Sequence, residues 1–370
     1  MSFPLTGIGR YTFELSKHLA LSNLVSELLY LRGTNFLKNH SELGIAKKHM
    51  SSFFSAGVNS PLLVNFYQKI SALRTGQALC KYPEFLYHGT SFRLPKFSGP
   101  KVVTIHDLSP FKYPECHPAG RASGLRKEII HSIKTANAII AGSKYTCKEI
   151  ADFFGCCTDK IYSVPLAANP KFRPKLELEI GQSLRSLGIE YSRYSLFVGT
   201  IEPRKNLETL LSAYGALPQA HRKRFPLVIV GYHGWKSEGT RRRIEEAENE
   251  GWVKHLGFVT DSQLSDLFSG AKLFVFPSLY EGFGLPVLEA MASGVPVVCS
   301  DSSSLPEVAS GCALLFNSGD ADELKLQIIR GLEDITWRNS AIEGGLSVAN
   351  SMSWARCAKQ TIDVYQTIHH

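Results

Sequence analysis

Two glutamates, Glu281 and Glu289, are separated by seven residues in the stretch SLYEGFGLPVLEAMASGVPVV. Between them, Gly282 and Gly284 allow close approach of the backbone, and Pro286 suits the first turn of a helix. Glu281 is therefore predicted on a loop and Glu289 about one turn into a helix. Because carboxylates only accept hydrogen bonds, two at different depths could hold separate hydroxyl groups of a polyhydroxylated ligand. A favourable position near the helix dipole is the alternative for Glu289, and it leaves Glu281 unexplained.

A pair of cations, Arg204 and Lys205, follows a predicted strand over residues 195–200, in the segment GTIEPRKNLETL that begins at Gly199. The pair stands where a helix is predicted to begin, an end at which the helix dipole is already positive. Two cations there indicate an anion held by a guanidinium fork and an ammonium. Two solvated charges are the alternative.

Two further segments have the residue types of a ligand site. His106 and Asp107 lie at the carboxyl end of a predicted strand over 101–106, where ligands of open α/β sheets bind. A histidine satisfied by backbone bonds and an aspartate that caps a turn are the alternatives. Gly7 and Gly9 form a glycine-rich turn that opens a helix, where N–H groups favour a phosphate; a plain turn is the alternative.

The elements that must position these residues alternate between short apolar runs and amphipathic stretches. The runs are typical of strands covered on both faces by helices, as in a parallel sheet. Predicted strands cover 84–88, 101–106, 138–142, 195–200, 226–231, 272–277, 295–300 and 312–316. Predicted helices cover about 9–20, 120–135, 143–154, 205–217, 237–250, 261–270, 285–293, 320–333 and 353–368. This alternation predicts an α/β protein with two doubly wound domains.

The predicted domains are residues 1–175, residues 190–350 and a terminal helix within 351–370 that packs back toward the first domain. Three prolines and a polar stretch mark the boundary between the first two. A doubly wound domain normally has a strand before its glycine-rich loop, whereas here the loop is placed at residues 6–9. The first strand is therefore expected to be missing or truncated.

Composition narrows the classes of function. The apolar fraction of 44% is that of a globular protein, and no apolar run approaches the roughly 20 residues of a membrane span. With 41 basic and 33 acidic residues the net charge is +8, which suits an anionic partner. No basic and aromatic pattern supports nucleic-acid binding. The eight cysteines form no C-x-x-C pair and are expected to be reduced, and no metal site is expected.

Taken together, GIGRY, HD, GTIEPRKN, the GFV of residues 257–259 and EGFGLPVLE resemble the retaining glycosyltransferases of family 4, which have the GT-B fold. Glu281 and Glu289 match the E-x7-E motif of that family, and the resemblance covers residues 7 to about 345. GT-B enzymes have two Rossmann-like domains that face each other across a cleft. The resemblance therefore implies a metal-independent hexosyltransferase without a cofactor.

The resemblance also implies a role for each matching position. The cations would hold the diphosphate of a nucleotide-sugar, Glu289 the ribose and Glu281 the transferred hexose. The backbone of 257–259 would meet the base, His106 would lie beside the sugar, and Gly284 and Leu285 would offer N–H groups. The implied catalytic residues are His106, Arg204, Lys205 and Glu281. The implied donor-binding residues are Gly7, Gly9, Gly199, Arg204, Lys205, Gly257, Phe258, Val259, Glu281, Gly282, Phe283, Gly284, Leu285 and Glu289.

The segments TGIGRY and TIHDLSPFKYPE are most similar to the subgroup that builds bacterial cell-surface polysaccharides. The implied donor is GDP-mannose or UDP-glucose, and the implied acceptor is a growing glycan, carried for example on a polyprenyl-diphosphate lipid. The expected location is the cytoplasm, with peripheral contact to an anionic membrane surface. A sugar-nucleotide epimerase or hydrolase of the same fold, and an inactive binding subunit, are the alternatives.

Overall fold

The computed structural model describes residues 7–38, 74–117 and 119–368. Within these ranges the chain forms two parallel sheets flanked by helices, and a small antiparallel pair of strands, β1 (Tyr30–Arg32) and β2 (Asn35–Leu37). The expectation about a missing first strand concerns residues 1–6 and anything before them, which lie outside the described residues.

The first sheet contains four parallel strands that follow one another in sequence order. The strands are β3 (Tyr87–Gly89), β4 (Lys101–Thr104), β5 (Ala138–Ala141) and β6 (Ile161–Ser163). The helices of this first half, which ends with β6, include α1 (Gly7–Ala20), α2 (Ser109–Lys112), α3 (Ala119–Thr135) and α4 (Lys144–Phe154). Neighbouring strand residues face opposite sides of the sheet, so Val102 packs in one buried cluster and Val103 in another. This is why the strands are apolar at consecutive positions.

The second sheet contains six parallel strands in the order β12-β11-β10-β7-β8-β9. They are β7 (Ser195–Val198), β8 (Leu227–Val230), β9 (Val253–His255), β10 (Leu273–Phe276), β11 (Val297–Ser300) and β12 (Ala313–Phe316). Strands are added on one side of β7 up to β9 and on its other side from β10 onward. The order therefore reverses between β7 and β10, and the crevice at their carboxyl ends is where such sheets bind ligands. The predicted α/β class with doubly wound sheets is confirmed.

Helices pack on both faces of the second sheet and connect it to the first half. They are α5 (Glu177–Ser186), α6 (Leu207–Gly215), α7 (Gln219–Arg224), α8 (Glu238–Asn249), α9 (Asp261–Gly270), α10 (Leu285–Ala292), α11 (Leu305–Ala309), α12 (Ala321–Glu333), α13 (Ile335–Ser351) and α14 (Trp354–Thr367). The last of them, α14, packs on α1. Among the described residues, no helix has the length and apolar character that crossing a membrane requires.

Three predicted elements differ from the structure. The turn predicted at residues 6–9 is wrong for Gly7 and Gly9, because both already belong to α1. Within its first turns Ile8 packs on one buried cluster and Tyr11 lies in the other. The polar stretch before β7 contains α5. The polar break before α14 is the helix α13, whose Gly345 lets it approach α10 closely: a Cβ there would lie 3.2 Å from the side chain of Met291.

Candidate active site

The two cations predicted to hold an anion lie in a short 3₁₀ turn, Pro203–Lys205, between β7 and α6. Because β7 is a central strand, the turn lies at the crevice where the strand order reverses. Lys205 is 9% exposed, and the side chain of Arg204 is 14% exposed. The alternative of two solvated charges is therefore wrong, and each buried cation needs a partner.

Glu281 supplies that partner, although it lies 76 positions after Lys205. Its Oε1 accepts hydrogen bonds from the Lys205 ammonium and, at 2.7 Å, from the Ser278 hydroxyl, while its Oε2 lies 3.3 Å from Arg204 Nη1. Burial acts to raise the pKa of Glu281, but the two cations outweigh it and hold this pKa at about 2. The carboxylate is therefore ionised at neutral pH. The structure brings together three of the four residues predicted to be catalytic.

Arg204 has a second carboxylate partner, Glu202, which sequence analysis did not single out. Arg204 Nη2 donates to Glu202 Oε1 at 2.7 Å, and Nη1 donates to the backbone carbonyl of Tyr280 at 2.7 Å. Glu202 is 6% exposed, so the pair is buried. A carboxylate two residues before an arginine was the available signal. Charge-assisted bonds from both ends of the guanidinium fix its orientation.

The cluster retains capacity to bind an anion. An ammonium has three donors, and within the described part of the chain Lys205 Nζ has one hydrogen-bond acceptor, Glu281 Oε1. The same Nζ lies 5.2 Å from the ring centroid of Phe276, the last residue of β10. An oxyanion in this crevice would meet two oriented cations in surroundings that exclude most water, where charge interactions are strong.

The glycine-rich loop before α10 makes a close contact between the two halves. A Cβ on Gly282 would lie 1.7 Å from the carbonyl oxygen of His106, at the end of β4, so only glycine fits. The carbonyl oxygen of Gly282 accepts hydrogen bonds from the hydroxyls of Ser143 at 2.7 Å and Thr146 at 3.0 Å, at the start of α4. Gly282 therefore lies in the contact between halves, not in the open part of the crevice.

The next three residues start α10. Phe283 is 8% exposed and packs near Gly142 at the end of β5. Gly284 precedes α10 with φ of +101°, a left-handed conformation that favours glycine. Leu285 is the first residue of α10, and N–H groups in the first turn of a helix have no acceptor within the helix. This arrangement is compatible with the predicted N–H donors.

The second glutamate of the pair, Glu289, has a partner from the other half. It lies in α10, is 4% exposed, and its Oε1 accepts a hydrogen bond from Arg10 Nη1 at 2.6 Å. Arg10 Nη2 also lies 3.5 Å from the exposed carboxylate of Asp261. Burial raises the pKa of Glu289, an effect that the charge of Arg10 opposes. Arg10 directly follows Gly9 and was not among the predicted site residues.

His106 is held as a neutral imidazole. Its Nε2 lies 2.9 Å from the carbonyl oxygen of Thr90, and because a carbonyl only accepts, Nε2 carries the proton and Nδ1 is an acceptor. The ring makes edge contacts with Tyr11 and Phe92, at centroid distances of 5.0 and 5.5 Å. Burial lowers the pKa of His106. The alternative of a histidine satisfied by backbone bonds is thus correct for Nε2.

The segment predicted to meet a base lies farther along the second sheet. Residues 257–259 follow β9, the edge strand, and the carbonyl oxygen of Gly257 accepts from the N–H of Gly231 at 2.9 Å. Gly231 in turn lies against Gly199, since a Cβ on Gly231 would lie 1.9 Å from the Gly199 carbonyl oxygen. Phe258 is 63% exposed. The three loops after β7, β8 and β9 therefore adjoin one another.

Comparison with known proteins identifies the family. A family model described as glycosyl transferases group 1 matches residues 182–346. The O-antigen chain mannosyltransferase B of Escherichia coli is 37% identical over 374 residues, which cover 100% of this chain and 98% of that protein. Among solved structures, WaaG, a glycosyltransferase involved in lipopolysaccharide biosynthesis, matches with a TM-score of 0.70 and 14% identity over 98% of this chain and 96% of that one.

A further structural match is HepE from Anabaena, solved in complex with UDP-glucose, with a TM-score of 0.69 and 18% identity over 80% of this chain and 82% of that one. These two structures support the GT-B fold. The relative that matches along the whole chain, together with the family model, supports the activity class. The chain belongs to the group 1 glycosyltransferases, has the GT-B fold, and is a hexosyltransferase.

Proposed function

We propose that the chain transfers mannose from GDP-mannose to a growing glycan of a cell-surface polysaccharide. The observation that carries this proposal is the relative of 37% identity that spans the whole chain and is named an O-antigen chain mannosyltransferase. The buried cluster of Arg204, Lys205 and Glu281 supports it, because it combines the charges that a sugar diphosphate needs.

In this proposal the cations bind the diphosphate and Glu281 accepts hydrogen bonds from hydroxyls of the hexose. Glu281 is ionised and aligned by Lys205, so it can only accept, as sugar hydroxyls require. Glu289 is assigned to the ribose, with Arg10 holding its carboxylate. Residues 257–259 are assigned to the base. Gly284 and Leu285 supply backbone N–H groups beside the sugar and phosphate.

The proposed reaction needs no nucleophile from the protein. The bond between the anomeric carbon and the diphosphate oxygen breaks, and its electron pair stays on the diphosphate. The hydroxyl oxygen of the acceptor forms the new bond on the same face, and its proton passes to the departing phosphate oxygen. Negative charge grows on the diphosphate in the transition state, so fixed cations stabilise that state more than the bound substrate.

His106 fits a position beside the transferred sugar. In its neutral ring Nδ1 is free of the proton and can accept a hydrogen bond. His106 lies two residues after β4, where Gly282 of the other half touches its backbone. Contact between the halves at this point also excludes water that would hydrolyse the donor. The rival epimerase or hydrolase activity predicts rapid turnover of the donor alone.

The donor is tested by a thermal-shift panel of GDP, UDP, GDP-mannose and UDP-glucose, since a ligand that binds the folded state raises the melting temperature. We expect GDP and GDP-mannose to give the largest shifts, and mannose transfer to a mannose-terminated glycan to follow. A larger shift with UDP and UDP-glucose would mean that the donor is a UDP-sugar, not GDP-mannose. Rapid hydrolysis of the donor without acceptor would favour the rival activity.

We also propose that the protein's own cations take the place of a metal ion in neutralising the diphosphate. Arg204 and Lys205, each already paired with a carboxylate, hold a guanidinium and an ammonium where that charge develops. Transfer is therefore expected to persist at an unchanged rate after dialysis against EDTA. A loss that Mg²⁺ or Mn²⁺ restores would contradict this part of the proposal.

The acceptor is proposed to be presented at the cytoplasmic face of a membrane, where a polyprenyl-diphosphate lipid can carry a growing glycan. The net charge of +8 favours such an anionic surface. Co-sedimentation should be stronger with vesicles that contain phosphatidylglycerol than with phosphatidylcholine alone, and should weaken at 0.5 M salt, where screening is strong. Equal sedimentation with both lipids would contradict the proposed binding to an anionic membrane surface.

A further inference from the structure

Tyr280 directly precedes Glu281, yet its side chain belongs to the contact between the two halves. It is 2% exposed and reaches from the loop after β10 into the first half. Its ring lies 5.3 Å from that of Tyr113, centroid to centroid. None of the roles assigned above uses this residue.

The hydroxyl of Tyr280 has two partners in the first half. It accepts a hydrogen bond from the backbone N–H of Leu108 at 2.9 Å, and it donates to Glu149 Oε2 at 2.5 Å. Leu108 lies two residues after His106, and Glu149 lies in α4. Burial raises the pKa of Tyr280, so the hydroxyl stays protonated and able to donate.

The backbone of Tyr280 is bound to the charged cluster. Its carbonyl oxygen accepts from Arg204 Nη1 at 2.7 Å, and the next residue is Glu281 itself. One residue therefore connects the loop after His106, through its side chain, with Arg204, through its main chain. A shift of the first half relative to the second would break the side-chain bonds and leave a buried carboxylate with fewer donors, which is costly.

We propose that Tyr280 is a positioning residue that sets the loop after His106 relative to the Arg204–Glu281 cluster, so that sugar transfer depends on its bond to Glu149 and Leu108. The inference rests on the proposed function for the roles of His106 and Glu281. The contact itself is independent of those roles. Precise placement of reacting groups contributes strongly to catalysis, so a small misplacement has a large effect.

The test compares Tyr280→Phe with Tyr145→Phe in the full chain. Tyr145 is a matched control, because its hydroxyl donates to the same carboxylate, Glu149 Oε1 at 3.2 Å, but from within α4. We expect Tyr280→Phe to lower kcat for transfer by roughly tenfold or more, with the thermal shift by GDP unchanged. Hydrolysis of the donor should rise relative to transfer, since water is less well excluded. Tyr145→Phe should leave these three quantities near their wild-type values.

Amide hydrogen exchange gives a readout that needs no donor. The N–H of Leu108 should lose protection in Tyr280→Phe and keep it in Tyr145→Phe. Equal protection in both variants, or an equal effect of both on kcat, would overturn the inference. If the wild-type protein transfers a hexose other than mannose, the proposed donor is wrong. The two variants are then compared with that hexose, and the inference about Tyr280 is still tested. The two failures are thus distinguishable.

Discussion

At the scale of single residues, the site is a set of buried charges in which each group orients another. Glu281 lies between Lys205 and Arg204, and Arg204 is bound on its far side by Glu202. Two cations and two carboxylates balance, so no charge of the cluster is buried without a partner, and its ammonium still has donors to offer. This pairing explains how two cations can be buried in a protein of ordinary composition.

Replacing Lys205 with methionine keeps the aliphatic stem and removes the charge. We expect kcat to fall by roughly a hundredfold or more, as for loss of one group that stabilises transition-state charge. The control is Lys325→Met, which removes a cation from an exposed pair with Asp322 in the same half. Steady-state kinetics of both variants check this prediction. A Lys205→Met enzyme with wild-type kcat would show that Lys205 does not stabilise the transition state.

The low pKa of Glu281 predicts how stability depends on pH. Its pKa is about 2 in the folded chain against an ordinary value of 4.5, so the stabilisation is present above pH 4.5 and is lost as pH falls toward 2. Between pH 6 and pH 3 this loss is about 2 kcal/mol. Urea unfolding should show that the wild-type protein loses more stability over this range than Glu281→Gln. Parallel pH profiles would contradict the assigned pKa.

At the scale of elements, two loops after neighbouring strands carry the cluster, and a third loop, from the first half, presses against them. The turn after β7 carries the cations, and the loop after β10 carries Glu281 and Gly282. The loop after β4 carries His106, whose carbonyl leaves no room for a side chain at Gly282. Parallel strands place their carboxyl ends at one edge, which is why residues far apart in sequence meet here.

The variant Gly282→Ala tests this contact. The new Cβ would lie 1.7 Å from the His106 carbonyl oxygen, so the halves must shift, and kcat should fall roughly a hundredfold for a shift of about 1 Å. Gly239→Ala is the matched control, because a Cβ in that part of α8 meets nothing within 4 Å. It should instead add about 0.5–1 kcal/mol of stability. Equal kinetics for the two variants would show that the contact is unimportant.

Some of these elements were predictable from sequence, and others depended on packing. The strands and the position of Arg204, Lys205 and Glu281 followed from apolar runs and from charges placed directly after them. The helix α13 was not predicted, because Gly344 and Gly345 weaken the periodic signal. Gly345 is explained by the close approach to Met291 of α10, and Gly344 by the close approach to Cys312. The pair Arg10–Glu289 joins residues 279 positions apart, and no local pattern reports such a contact.

At the scale of the whole molecule, the end of the chain ties the two halves together. Helix α14 follows the helices of the second half but packs on α1 in the first, where the rings of Trp354 and Tyr11 lie 6.2 Å apart. Tyr365 adds a hydrogen bond to the half-buried His88 of β3, at 2.6 Å. Movement of one half against the other therefore involves α14.

Truncation of Trp354 should weaken this attachment. The side chain is 3% exposed, so Trp354→Ala is expected to lower the free energy of unfolding by about 3–5 kcal/mol. Leu326→Ala removes an apolar side chain that is 62% exposed, and should change stability by less than about 0.5 kcal/mol. Denaturant unfolding measures both. A small effect of Trp354→Ala would mean that α14 contributes little to holding α1.

The lack of room for a side chain at Gly282 has a consequence for hybrid enzymes in which one half is exchanged for that of a relative. The contact joins the loop after β4 to the loop after β10, so the two loops must match in shape when they come from different parents. A hybrid cut between β6 and β7 combines loops of different parentage. Such proteins should recover transfer when the residues around His106 come from the same parent as the second half, which carries Gly282.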